Sequence, residues 1–168
     1  MLIETIQRVL AIVASLSVTL GVIVALQQLR NQNRLRQIDT VMRLYSTFGQ
    51  ESFLRHFNRV LSWNYRTYEA FHKRRNRDDQ VSLQVVEVFF ENMGLLYKRN
   101  LAPLDLMDDL LSGPILRTWQ KVGPILVGLR EELGQPQGAE WFEFLHHAMV
   151  ERLARLARGN KRQANRHA

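Results

Sequence analysis

The chain reads as all-α: a single N-terminal transmembrane helix continuing into a compact cytoplasmic bundle of about five helices. Three observations lead there. Val9 to Leu26 is a run of eighteen residues without a charge, Pro, Asn or Gln. Beyond it, apolar residues recur at spacings of three and four, and nothing alternates with period two for long. Breaks containing Gly and Pro then cut this pattern into helix-sized pieces.

The first element follows from length. A hydrocarbon core of ~30 Å takes ~20 apolar residues at ~1.5 Å each, and Leu2, Ile3, Ile6 and Leu29 lengthen the run at either end. A cleaved signal peptide is the alternative, but its apolar core would be only about 7–15 residues after a clearly basic start. Here the start offers Arg8 against Glu4, and no A-x-A site follows. Arg30, Arg34 and Arg36 flank the other end, so the positive-inside rule puts the body in the cytoplasm and residues 1–8 outside. The expected location is therefore a membrane, with the body on its cytoplasmic face. The expected division is a short tail at 1–8, the span at 9–29, a helical domain at 30–157 and a basic tail at 158–168. Within the span Ser17, Gly21 and Ala25 stand at i, i+4 and i+8, a small-residue face through which the helix could form a homodimer.

The body follows element by element. Ile38, Val41, Met42, Tyr45 and Phe48 continue the first helix to about Phe48, where Gly49 can end it and Ser52 can help start the next. Phe53, Phe57, Val60, Leu61, Tyr65 and Tyr68 place a second helix over about 51–71. The basic run His72 to Arg77 breaks the chain, and Asp78 and Asp79 suit the start of a third, strongly apolar helix that ends between Asn100 and Pro103. A short helix over LDLMDDLL is expected to stop at Ser112-Gly113-Pro114. A fifth follows to about Leu133, kinked or split at Gly123-Pro124. After the loop Gly134 to Gly138, the last helix runs from Ala139 to about Ala157, with Trp141, Phe144, Leu145, Ala148, Met149 and Leu153 on one face.

Phe89, Phe90, Glu91, Gly94, Leu95, Arg99 and Leu101, then Trp119, Arg130, Phe142, Glu143 and Leu145, carry a family pattern. In these residues the chain resembles a bacterial membrane-anchored family called domain of unknown function 4760. The likeness is firm over about Val88 to Leu145, looser over Ile3 to Met149, and lost in the tail beyond Arg152. It implies a membrane location and brings neither an activity nor catalytic residues.

The composition excludes much chemistry. Without cysteine there are no disulfides, thiolate zinc sites, Fe–S clusters or cysteine nucleophiles. No G-x-S-x-G, P-loop, G-x-G-x-x-G or H-E-x-x-H occurs, so neither an enzyme nor a cofactor is expected. The alternative is a helical metal-binding protein or enzyme using Glu87, Glu91, Glu143 and His146. Glu143 and His146 have the E-x-x-H spacing of helical di-iron proteins, and Glu87 and Glu91 could add carboxylates. Such a centre needs two E-x-x-H motifs plus a Glu from each of two further helices, and a solvated acidic helix face explains the same residues. Glu91 and Arg130, each flanked by apolar residues, are expected to form a partly buried ion pair that fixes helix register.

The net charge of +7 is unevenly spread. Residues 27–77 hold 11 Lys+Arg against 3 Asp+Glu, residues 78–151 hold 5 against 12, and residues 152–168 hold 6 bases and no acid. If the second helix ran back the length of the first, Lys73, Arg74, Arg75 and Arg77 would join Arg30, Arg34 and Arg36 at anionic lipid headgroups, each worth ~1 kcal/mol. The tail beyond Gly159 is expected to be disordered, and without aromatic residues it lacks stacking platforms for nucleic acid. The expected partners are therefore the bilayer, anionic lipid, and a protein meeting the acidic body. A scaffold or regulatory role is the leading reading. A polyanion binder, through loop and tail, is the alternative.

Overall fold

A computed structural model describes residues 2–164, with side chains for 17, 18 and 20–159. Six helices and no strand occupy the described residues: α1 (Leu2–Phe48), α2 (Glu51–Ser62), α3 (Tyr68–Arg74), α4 (Arg77–Lys98), α5 (Leu104–Glu132) and α6 (Glu140–Ala164). The chain divides into two compact units, residues 1–37 and residues 38–168. The first unit is helix alone. Every described residue in it before Gln37 is exposed.

Among the described residues no helix is long and apolar enough to cross a membrane. The run Val9 to Leu26 lies partly outside them, because the side chains of residues 9–16 and of Thr19 are not described.

In the second unit α4 and α6 form the most extensive pair, with α5 packed against α6 and α2 against α4. Val86, Phe90 and Met93 from α4, Met107, Leu111, Ile115, Val122 and Ile125 from α5, and Phe142, Leu145 and Met149 from α6 are fully buried. The end of α1 joins this core through Val41, also fully buried, and through Phe48. Aromatic rings then run in contact through the body. Phe48 lies 5.0 Å from Phe57, Phe53 lies 4.5 Å from Phe89, Phe90 stacks at 4.7 Å on Phe142, and Phe142 meets Trp119 edge-on at 4.9 Å. Such pairs add about 0.5–1.5 kcal/mol each beyond their buried area.

Several boundaries sit where expected. Phe48 ends α1 before Gly49, and Asn76 caps α4 in a reciprocal capping box with Asp79. Helix α4 closes with left-handed Asn100 (φ 55°), whose neighbour Leu101 donates back to the Leu96 carbonyl. Gly134 (φ 60°) ends α5 the same way, with Gln135 donating to Arg130 O, and glycine adopts that conformation without a Cβ penalty. Helix α6 passes Gly159 and reaches Ala164, so the expected disorder does not begin at Gly159; residues 165–168 lie outside the described ones.

Five expectations are corrected. The residue before α2 is Gln50, with no side-chain cap, so Ser52 is not the start signal. Helix α2 stops at Ser62, because Trp63 to Thr67 turns to bring two aromatic side chains onto Asp79. At 12 residues, or ~18 Å, it is too short to return the chain along the full length assumed for the basic loop. Helix α5 runs unbroken through Pro114 and Pro124. Each proline follows a glycine, whose missing Cβ removes part of the pre-proline clash, and buried Leu111, Ile115, Val122 and Ile125 hold the helix against the core. On α6 the fully buried face is Phe142, Leu145 and Met149, while Trp141 and Phe144 are only half-buried.

Candidate functional site

Glu91 and Gly94 of α4, Trp119 and Arg130 of α5, and Phe142 and Glu143 of α6, six residues of the family pattern, lie where these helices meet, while Arg99 and Leu101 are exposed at the end of α4. Helix α6 begins after a tight loop and Ala139, held left-handed at φ 56°, whose methyl side chain offers no capping oxygen. The cap comes from another helix. The Glu91 carboxylate on α4 accepts hydrogen bonds from the backbone N–H groups of Trp141 (3.2 Å) and Phe142 (2.8 Å). A carboxylate there satisfies orphan donors and meets the positive end of the helix dipole. Three residues on, Gly94 lets the two backbones touch: a Cβ on it would lie 1.9 Å from the Trp141 carbonyl oxygen.

Arg130, in the last turn of α5, works on the same helix start from the other side. Its Nε donates to the Gly138 carbonyl at 2.7 Å and its Nη1 to Glu143 at 3.0 Å, while the buried Nη2 has no hydrogen-bond partner. The expected Glu91–Arg130 pair is thereby corrected. Both residues hold α6, but Arg130 pairs with Glu143, and Glu91 is taken up by backbone donors. Arg130→Ala should cost about 2 kcal/mol, the size of a partly buried charged hydrogen-bond set. Thermal unfolding of the full chain in detergent checks it. Arg130→Lys should not restore the loss, since an ammonium cannot span both acceptors as the planar fork does.

Glu87, one turn before Glu91, is half-buried. Burial pushes its carboxyl above the usual range, the Glu91 charge adds to this, and the Arg130 charge opposes it. His146 is a packing residue. Its ring stacks on Trp119 at 5.8 Å and 27°, and its Nδ1 is buried without a partner. Burial holds His146 below the usual histidine range, with His147 acting the same way and Glu143 against. Among the described residues no group of three or more His, Asp or Glu could hold a metal ion. The metal reading of Glu87, Glu91, Glu143 and His146 is corrected accordingly: one carboxylate caps a helix, one is paired with arginine, and the imidazole faces a tryptophan.

One polar centre escaped the sequence reading. Buried Asp79 accepts from Arg59 Nε at 2.8 Å, Tyr65 Oη at 3.0 Å, Trp63 Nε1 at 3.2 Å and Asn76 N at 3.4 Å. Burial raises its carboxyl, but hydrogen bonds from Arg59, Tyr65 and Asn76 outweigh that and leave it below the usual range. The same network pushes the Tyr65 phenol up, through burial first and then Asp79. The sequence shows Asp79 only as a helix-start acid; the polar tips of Trp63 and Tyr65 beside an Asn-x-x-Asp box were the available signal.

Two open grooves lie on the body. One, about 540 Å³, is lined by Trp119, Gln120, Gly123, Pro124, Val127 and Glu143. The other, about 560 Å³, lies between α3 and α5 and includes Tyr68, His72, Lys73, Gly128 and Glu132. In the second groove the Tyr68 hydroxyl lies 2.8 Å from His72 Nδ1, and a Glu132 carboxylate oxygen lies 3.7 Å from the same nitrogen. Of the basic residues expected at a membrane surface, Arg30, Arg34, Arg36, Lys73, Arg74 and Arg77 are exposed, and Arg75 lies 5.7 Å over the Phe71 ring. Ser17, Gly21 and Ala25 are exposed, with nothing within 4 Å of a Cβ built on Gly21.

The sequence model of a family described as "Domain of unknown function (DUF4760)" matches residues 15–149. No curated protein and no solved structure matches the chain.

Proposed function

The chain belongs to the DUF4760 family, and from that premise we propose that it is a non-catalytic helical interaction module, anchored in a membrane with its body in the cytoplasm. The supporting observation is on α1. Val18, Leu20, Val22, Ile23, Val24, Leu26 and Leu29 are all 44–68% exposed and cover about two thirds of the helix circumference at ~100° per residue, with Ser17, Gly21, Ala25 and Gln28 on the rest and no charge among them. A helix with large apolar side chains over most of its surface and no charged face has no stable place in water, whereas hydrocarbon welcomes it. Arg30, Arg34 and Arg36 follow at once and set the inside end.

The body supports the non-catalytic half of the reading. Its strongest polar groups, Asp79, Glu91, Arg130 and Glu143, are committed to fastening helices to one another. What remains for a partner on residues 78–151 is a surface where Asp78, Asp105, Asp109, Glu131, Glu132 and Glu151 are exposed against Lys98, Arg99 and Arg117, complementary to a protein with a basic face. Reporter fusions at the C-terminus test the arrangement. A reporter active only in the cytoplasm should work and one active only outside should be silent. The opposite pattern would overturn the proposed orientation.

A further inference from the structure

We infer that two copies of the chain pair in parallel along α1, through a seam outside the apolar run. The observation is a stripe. Leu35, Ile38, Met42 and Tyr45 are spaced three, four and three, and are exposed at 66%, 37%, 48% and 43%. Those are successive a and d positions of a heptad. They are distinct from the face α1 turns to its own body, which is Val41, Leu44 and Phe48. At ~100° per residue the two faces are centred about a third of a turn apart, so the stripe stays open after the body has packed.

A second copy is the occupant that the flanking charges fit. With Leu35 and Met42 at a, Arg34 falls at g and Asp39 at e of the next heptad. In a parallel pair each g residue meets the partner helix's e residue five positions on. Arg34 of each copy therefore meets Asp39 of the other, giving two opposite-charge pairs by symmetry. Asp39 already holds Arg43 of its own helix at 2.8 Å, and a carboxylate has lone pairs for both. Carried back along α1, the same register puts Gln28 and Asn31 at a and d, where polar side chains fix register and strand number. Further back it puts Gly21 and Ser17 on the seam, where small side chains allow close approach.

The stripe is only eleven residues long, too short to pair unaided in water. This inference therefore rests on the membrane reading: anchoring two copies side by side in one bilayer raises their effective concentration and imposes the parallel sense.

The chain has no cysteine, so single-cysteine variants give a clean readout. Full-length Ile38→Cys and Tyr45→Cys in membranes should crosslink under mild copper-phenanthroline oxidation to a species of twice 19.7 kDa. Arg36→Cys and Arg43→Cys, on the outer face, should stay at least fivefold less crosslinked. Arg34→Asp should lower the crosslinked fraction of the Ile38→Cys chain, and adding Asp39→Arg should restore it. Equal crosslinking at all four positions, none at any, or no rescue by the double charge swap would overturn the parallel seam. Each sample is also centrifuged. Chain in the pellet without crosslinks refutes the seam alone, while chain in the supernatant refutes the membrane reading.

Discussion

Gly94→Ala is expected to lower the stability of the body by about 3 kcal/mol, the upper end of the usual range for overpacking. The added methyl would sit 1.9 Å from the Trp141 carbonyl oxygen and 2.4 Å from its carbon. Neither atom belongs to a flexible side chain that can swing aside. The α4–α6 pair, the most extensive in the body, would have to move apart. That movement would also lengthen the bonds from Glu91 to the start of α6. Thermal unfolding of the full chain in detergent should show a Tm fall on the order of 10 °C. An unchanged Tm would mean that the two helices do not touch at Gly94.

Asp79→Ala should be comparably damaging, at about 3 kcal/mol, because it strands a guanidinium, an indole N–H and a phenol that share one carboxylate. Asp79→Asn keeps an acceptor for the neutral donors but loses the charge, and should cost roughly half as much. The pH dependence has a definite sign. The folded carboxyl is held below its unfolded value of about 3.9. Its contribution is therefore complete above that value and disappears as pH falls through the folded pKa. Denaturant titrations from pH 6 to pH 2 should show this acid loss in the parent and a smaller one in Asp79→Asn. Equal acid slopes would remove Asp79 from the account.

What was legible in the sequence is what local chemistry decides. The stop at Phe48–Gly49, the start of α4 and the loop at Gly134 each depend on residues within a few positions of the boundary. The misreadings all have distant causes. Helix α2 ends early because Trp63 and Tyr65 reach a carboxylate 16 and 14 residues ahead. Helix α5 survives two prolines because its buried side chains meet the core on both sides of each one.

The candidate site divides along the same line. Glu91 and Arg130 stood out as polar residues in apolar surroundings, and both do fasten helices. Their partners were hidden, because Glu91 bonds backbone N–H groups 50 and 51 residues away, which no side-chain pattern announces. The E-x-x-H spacing of Glu143 and His146 is real as spacing, but arginine claims the carboxylate and tryptophan stacks on the imidazole.

Alkaline carbonate extraction of membranes from cells expressing the full chain tests the central claim most directly. A helix held in hydrocarbon by an apolar run from Val9 to Leu26 resists extraction, whereas a chain held by surface charge is released. The chain is predicted to remain in the pellet with an integral membrane marker. Its release into the supernatant would contradict the anchor on which the proposed function rests.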